Sequence, residues 1–120
     1  MKLSYDIGFK VKVEGTDIYV PVGRCEANAT WNVREMIVKS TGLEWKNEAN
    51  NGLCVDVIPK ISHGYVELSC HAKKYLKYNA PNGWGTVETT KAFFKKIIDA
   101  WDEFVRWNEK LVPYATFWIE

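Results

Sequence analysis

Cysteine and histidine, two residue types that often bind metals, are scarce in this sequence. The three cysteines, Cys25, Cys54 and Cys70, are widely spaced and form no CxxC pair. An odd number of cysteines at such spacing fits neither a disulfide framework nor a zinc site. His63 and His71 lie eight positions apart, which is too far for their side chains to share a small metal site on one helix. We expect reduced thiols, no metal and no cofactor.

An excess of charge is also missing. Sixteen basic residues stand against fifteen acidic ones, and the formal net charge is +1 at pH 7. Such a chain has no global field that would draw it to nucleic acid or to an anionic membrane. No run approaches the roughly 20 apolar residues of a membrane helix, and residues 1–8 lack the apolar run of a signal peptide. We expect a cytoplasmic protein with neither a membrane nor a nucleic-acid partner.

The motifs of common enzymes are absent as well. The sequence contains no GxSxG, no HExxH, no phosphate-binding loop and no dinucleotide fingerprint. Cys70 and His71 are adjacent, but neighbours on a helix diverge by about 100° and do not pair as nucleophile and base. Asp99, Asp102 and Glu103 are close in sequence, yet nothing marks an apolar pocket that would separate their pKa values. We predict that the protein is not an enzyme, and a small enzyme with an unrecognised site is the alternative.

What the chain does have is enough apolar residues for one core. It is 47% hydrophobic and 14% aromatic, so we expect residues 1–120 to form a single domain. Residues 3–13 alternate strictly between apolar and polar positions, which predicts a strand. Turn residues follow, and residues 17–22 resume the alternation, so the two segments are predicted to form an antiparallel hairpin. The aromatic and β-branched residues at 114–119 predict a closing strand.

Two segments in the middle of the chain have helical spacing. Residues 32–42 begin with an asparagine that can cap a helix and end with a glycine that can stop it. Residues 44–52, rich in asparagine and charge, are predicted to form a loop. A second helix is predicted from Asp56, with Pro59 in its first turn, and Gly64 leaves its continuity open. The apolar stripe of this helix comprises Ile61, Tyr65, Leu68 and Tyr75.

The clearest helical pattern covers residues 86–109. Its main apolar residues follow at steps of four and three positions: Phe93, Ile97, Trp101 and Phe104. A sheet with one apolar face and helices with one apolar stripe bury both by packing together. We therefore predict an α+β fold, in which about three helices pack on one face of an antiparallel sheet made by the N-terminal hairpin and the C-terminal strand.

Two predicted loops combine a tryptophan with asparagines. They are residues 28–32 and residues 82–85, and the second segment lies within a predicted loop at residues 79–85. An indole plane beside amide donors and acceptors is suited to recognition. The alternative is that both tryptophans close the ends of the core and the asparagines cap helices. The residues predicted to bind a ligand or partner are Asn28, Trp31, Asn32, Asn82 and Trp84.

A basic and aromatic cluster precedes the second of these loops. Lys73, Lys77 and Tyr78 could hold one anionic ligand, such as a small nucleotide, or track a phosphate backbone. The balanced net charge argues against nucleic acid. The alternative is a polar helix face whose tyrosines turn inward. We include these three residues in the predicted binding set.

The tryptophan segments resemble those of a family of small uncharacterised bacteriophage and prophage proteins. The likeness covers residues 10–119. It depends on an N-x-T-x-N-V pattern at residues 28–33 and an N-G-W-G pattern at residues 82–85, followed by an amphipathic helix and a short final strand. The chain departs from the family pattern before the second motif, where Pro59 and Gly64 interrupt the helix. The family implies a phage setting and no established activity.

Small non-catalytic phage proteins often act against bacterial immunity, so the resemblance implies a binding protein in the host cytoplasm. The expected function is anti-defence inhibition, by binding a host immune protein or by sequestering a nucleotide immune signal. The alternatives are a structural or regulatory phage accessory protein and the small enzyme named above. Homo-oligomerisation is left open.

Overall fold

The computed structural model describes residues 4–81 and 83–120, with only the backbone of Arg24. The strands are β1 (Ser4–Lys12), β2 (Tyr19–Thr30), β3 (Ala49–Leu53) and β4 (Thr116–Ile119). The helices are α1 (Arg34–Thr41), α2 (Cys54–Cys70), α3 (Ala72–Tyr75) and α4 (Val87–Trp107). Short 3-10 turns cover Trp31–Val33, Leu76–Tyr78 and Glu109–Leu111.

The four strands form one antiparallel sheet in the order β2-β1-β4-β3. On β1, one of the two inner strands of the sheet, the side chains of Tyr5, Ile7 and Phe9 are buried. Successive residues of a strand point to opposite faces, so these three lie on one face, the face that the helices cover. The predicted α+β fold, with the N-terminal hairpin and the C-terminal strand in one antiparallel sheet, is confirmed.

The sheet extends further than the sequence pattern indicated. The second strand continues eight residues beyond the predicted end at residue 22, and Thr30 pairs with Ser4. Two shifts in the register between β1 and β2 interrupt the alternation that marks a strand. The prediction of a loop at residues 44–52 is wrong at its end, because Ala49–Leu53 forms β3. This segment is poor in strand-forming residues and is held by pairing with β4.

The first helix begins one residue later than predicted. Asn32 lies in the 3-10 turn that precedes α1, and the residue at the N-cap position is Val33, which makes no capping side-chain bond. The side-chain oxygen of Asn32 instead accepts a hydrogen bond from the hydroxyl of Thr30. Gly42 ends the helix with a φ of 76°, as the sequence predicts.

The second helix is continuous through Pro59 and Gly64. Gly64 is buried, and a Cβ atom there would lie 2.6 Å from Thr41 Cγ2 and 2.9 Å from Phe94 Cε2. The glycine therefore lets α2 approach α1 and α4 closely. The predicted stripe is wrong at its last member, because α2 ends at Cys70 and Tyr75 lies on the separate helix α3.

Helix α4 runs from Val87 to Trp107 and is capped by Thr86, whose hydroxyl accepts from the backbone N–H of Thr89. All four residues of its predicted stripe are buried, which confirms the prediction: Phe93, Ile97, Trp101 and Phe104. The ring of Trp101 lies 5.5 Å from that of Phe9 on β1. This contact joins the longest helix to the inner strand β1.

We predict that Trp101→Ala lowers the free energy of unfolding by about 3–5 kcal/mol, because it empties a buried site. Trp107→Ala is the matched control in the same helix, since its side chain is 73% exposed against 8% for Trp101. We expect the control to change stability by less than about 0.5 kcal/mol. Urea denaturation measures both values, and equal losses would contradict the assignment of the buried face.

A second prediction concerns the close approach at Gly64. Alanine is the better helix former, but its methyl group would overlap Thr41 and Phe94. We expect Gly64→Ala to lower the free energy of unfolding by about 1–3 kcal/mol. The control is Ser69→Ala, which lies at an exposed position of the same helix and should leave the free energy of unfolding nearly unchanged. A stabilised Gly64→Ala protein in the same denaturation experiment would show that the helices are not in close contact there.

Candidate functional site

The two tryptophan segments meet at the N-terminal end of α4. The hydroxyl oxygen of Thr30, whose proton is donated to Asn32 Oδ1, lies 3.3 Å from the carbonyl oxygen of Trp84. Gly85 is buried, and a Cβ atom there would lie 2.6 Å from Asn32 Oδ1 and 2.4 Å from Val33 Cγ1. Backbone of the second segment therefore packs directly on side chains of the first. The two segments have a similar composition, and the fold brings them into contact.

The loop that carries Trp84 is fixed by its own hydrogen bonds. The side-chain oxygen of Asn79 accepts from the backbone N–H of Val87, the first residue of α4, at 2.9 Å. The N–H of Ala80 donates to the carbonyl of Gly85 at 2.7 Å, and that of Gly83 donates to the carbonyl of Ala80 at 3.0 Å. These bonds anchor both ends of the loop and hold its shape.

The two tryptophans have different environments. Trp31 is half-buried, and its ring lies 6.4 Å from the ring of the buried Tyr5. Trp84 is 73% exposed. The alternative to a recognition role was that both tryptophans close the ends of the core. The environment of Trp31 fits this alternative better than that of Trp84 does. Trp84 presents most of its indole at the surface.

An open cleft of about 490 Å³ adjoins the loop. It is lined by Asn32, Tyr78, Asn79, Ala80 and Pro81. The ammonium group of Lys77 lies 5.3 Å from the centre of the Tyr78 ring, a distance typical of a cation–π contact. We use the name Trp84 surface for one set of residues: Trp31, Asn32, Lys77, Tyr78, Asn79, Ala80, Pro81 and Trp84.

Three residues of the predicted binding set lie outside this group. Asn28 is exposed on β2 and lines a different cleft, of about 530 Å³, together with Glu26 and Glu120. Lys73 lines a third cleft, of about 510 Å³, which also includes Cys70 and His71. Asn82 lies outside the described residues. The predicted set therefore divides between separate clefts.

Glu67 is a residue that the sequence analysis missed. Tyr75 is buried, and its hydroxyl donates to Glu67 Oε1 at 2.8 Å, while Lys74 Nζ lies 3.3 Å from the same oxygen. The Tyr75 hydroxyl, helped by Lys74, holds the pKa of the Glu67 carboxyl below its usual range. Burial and the Glu67 carboxylate raise the pKa of Tyr75 to about 12. Because Glu67 and Tyr75 stand eight positions apart on either side of a helix break, helical spacing gives no signal for the pair.

The thiols differ in exposure. Burial raises the pKa of Cys25 and raises that of Cys54 to about 12, so neither forms a thiolate readily at neutral pH. Cys70 is exposed beside His71. Within residues 4–81 and 83–120, no three His, Cys, Asp or Glu side chains are grouped so that they could hold a metal ion.

The described part of the chain contains no helix long and apolar enough to cross a membrane. Comparisons with protein-family models, curated proteins and solved structures find no significant match to this chain.

We predict that Tyr75→Phe raises the pKa of Glu67 toward its ordinary value of 4.5, because the largest cause of the lowered value is the Tyr75 hydroxyl. A carboxyl group whose pKa is lower in the folded state than in the unfolded state stabilises the folded state at pH values above its unfolded-state pKa. This stabilisation is lost as the pH falls through the folded-state pKa. The variant should therefore lose less stability than the wild type on acidification below pH 4.5. NMR titration of the Glu67 carboxyl carbon measures the pKa. Tyr78→Phe is the control, and an unchanged Glu67 pKa in Tyr75→Phe would contradict the hydrogen bond.

Proposed function

We propose that this protein is a non-catalytic binding protein whose contact site is the Trp84 surface. The observation that carries the proposal is the 73% exposure of Trp84 on a hydrogen-bonded loop. An exposed indole leaves a large apolar area in water, and burial of that area stabilises a complex. Tryptophan is enriched among the residues that dominate binding energy at protein interfaces.

The fixed loop supports the same proposal. A mobile loop would have to lose conformational freedom when a partner binds, and that loss weakens affinity. The bonds from Asn79, Ala80 and Gly83 hold the loop before any partner arrives. The Trp84 surface is therefore preorganised for contact.

The phage setting comes from the resemblance of the tryptophan segments. We propose that the protein acts in the bacterial host cytoplasm as an inhibitor of a defence system, by binding an immune protein or sequestering a nucleotide immune signal. A structural or regulatory phage accessory protein is the alternative. The neighbouring genes distinguish them, because anti-defence genes favour inhibition and tail or capsid genes favour a structural role.

We predict that Trp84→Ala abolishes inhibition of a matched defence system while leaving the melting temperature nearly unchanged, because a ring that is 73% exposed contributes little to the core. Trp107→Ala is a closely matched control, since Trp107 is also 73% exposed and lies at the opposite end of α4. We expect the control to retain inhibition. The assay combines phage infection of defended cells with thermal denaturation of both variants.

Two outcomes would contradict the proposal. One is full inhibition by Trp84→Ala. The other is a loss of inhibition in both variants that follows the loss of folded protein. In either case the Trp84 surface would be scaffold, and the contact site would lie elsewhere on the molecule.

A further inference from the structure

The segment that contains most of the Trp84 surface differs in charge from the rest of the chain. Between His71 and Thr86 there are three lysines, Lys73, Lys74 and Lys77, and no aspartate or glutamate. The whole chain is nearly neutral at +1, so the remaining residues carry a net negative charge. Positive charge is therefore concentrated in the segment of the chain that carries Trp84.

Two of these lysines, Lys73 and Lys77, can each form an ion pair with a carboxylate of a partner. Lys74 is paired with Glu67 at 3.3 Å. Among the described residues, no acidic side chain lies within ion-pair distance of Lys73 or Lys77. Lys77 contacts the Tyr78 ring, and an ammonium group over a ring still has N–H groups to donate. Lys73 and Lys77 stand four positions apart in a nearly continuous helical stretch, which places them on one side of it.

The shape around these charges favours a protein over a nucleotide. Small ligands are usually held in pockets that bury about 70–90% of their surface. The cleft beside Tyr78 is open to solvent, and Trp84 stands outside it with 73% of its surface exposed. An exposed ring on an open surface is suited to insertion into a recess of a larger partner.

The number of cations argues against a nucleic acid. Affinity for nucleic acid grows with the number of phosphates that a protein neutralises with lysine and arginine. The segment supplies three lysines, one of which is already paired with Glu67. Two lysines beside an apolar anchor match one or two carboxylates on the rim of a protein recess.

We infer that the partner of the Trp84 surface is an acidic protein, in which an apolar recess receives Trp84 and neighbouring carboxylates pair with Lys73 and Lys77. This inference rests on the proposed function, names the class of partner for the same site, and extends the contact to Lys73, which lines a separate cleft. The complementary charges speed association, and the indole supplies the buried apolar contact.

The partner is identified by photocrosslinking in defended bacterial cells that express the Leu76→p-benzoylphenylalanine variant, which keeps Trp84 and places the probe at an exposed position between Lys73 and Lys77. The crosslinked protein is then purified, and its affinity for the wild type is measured by calorimetry at low and high salt. We compare Lys73→Glu/Lys77→Glu with the control Lys60→Glu/Lys110→Glu. Both double variants change the net charge equally, and all four lysines are exposed.

We expect the Lys73→Glu/Lys77→Glu variant to bind at least about tenfold more weakly than the wild type at 50 mM salt, and the control to differ by less than about twofold. The difference should shrink at about 0.5 M salt, where surface charges are screened. Circular dichroism checks that both variants are folded.

Equal affinities of the two double variants, with binding still lost in Trp84→Ala, would overturn the acidic partner and leave the proposed function standing. A nucleotide or nucleic acid as the bound species, or no protein adduct at position 76 in cells where inhibition occurs, would overturn the inference as well. Wild-type affinity and inhibition in Trp84→Ala would instead refute the proposed function itself.

Discussion

The packing of α4 against the inner strand β1 is the contact on which the rest of the structure depends. Phe9 of β1 lies 5.5 Å from the ring of Trp101 and 5.8 Å from that of Phe104. Because β1 pairs with both β2 and β4, these contacts fix the helix relative to most of the sheet. They also fix where the helix begins, and its first turn lies beside the end of β2. That position brings the carbonyl of Trp84 to the hydroxyl of Thr30.

Local polar contacts then determine the shape of the surface at this end. Asn79 satisfies one of the backbone N–H groups that the first turn of α4 leaves without a helical partner. Gly85 allows the loop to lie against Asn32 and Val33, where a side chain would collide. The result is a short loop with both ends anchored and an indole facing solvent. The packing of the core thus places the candidate site, and hydrogen bonding gives the site its form.

The sequence predicted the elements whose pattern reflects burial on one face. β1 alternates along its whole length and α4 carries a continuous apolar stripe, so both were predicted close to their observed bounds. The pattern failed for β3, which forms from asparagine and glycine residues because β4 offers a neighbouring edge. It also left open the continuity of α2 at Gly64, where close contact with Thr41 and Phe94 explains the glycine.

At the candidate site, composition identified Trp84 and Tyr78, whereas Asn28 and Lys73 line other clefts because side-chain direction depends on the fold. Glu67 could not be predicted, since its pairing with Tyr75 crosses a helix break.

The proposal that Trp84 is a preorganised contact residue can be tested by fluorine NMR. The protein is labelled with 5-fluorotryptophan at its six tryptophans and observed alone and in extract of the defended cells. We expect the Trp84 resonance to lose its solvent isotope shift in the extract, while the resonance of the equally exposed Trp107 keeps its shift. If the Trp84 resonance is unchanged and the Trp107 resonance is altered, the contact lies at the other end of α4 and Trp84 is not the contact residue.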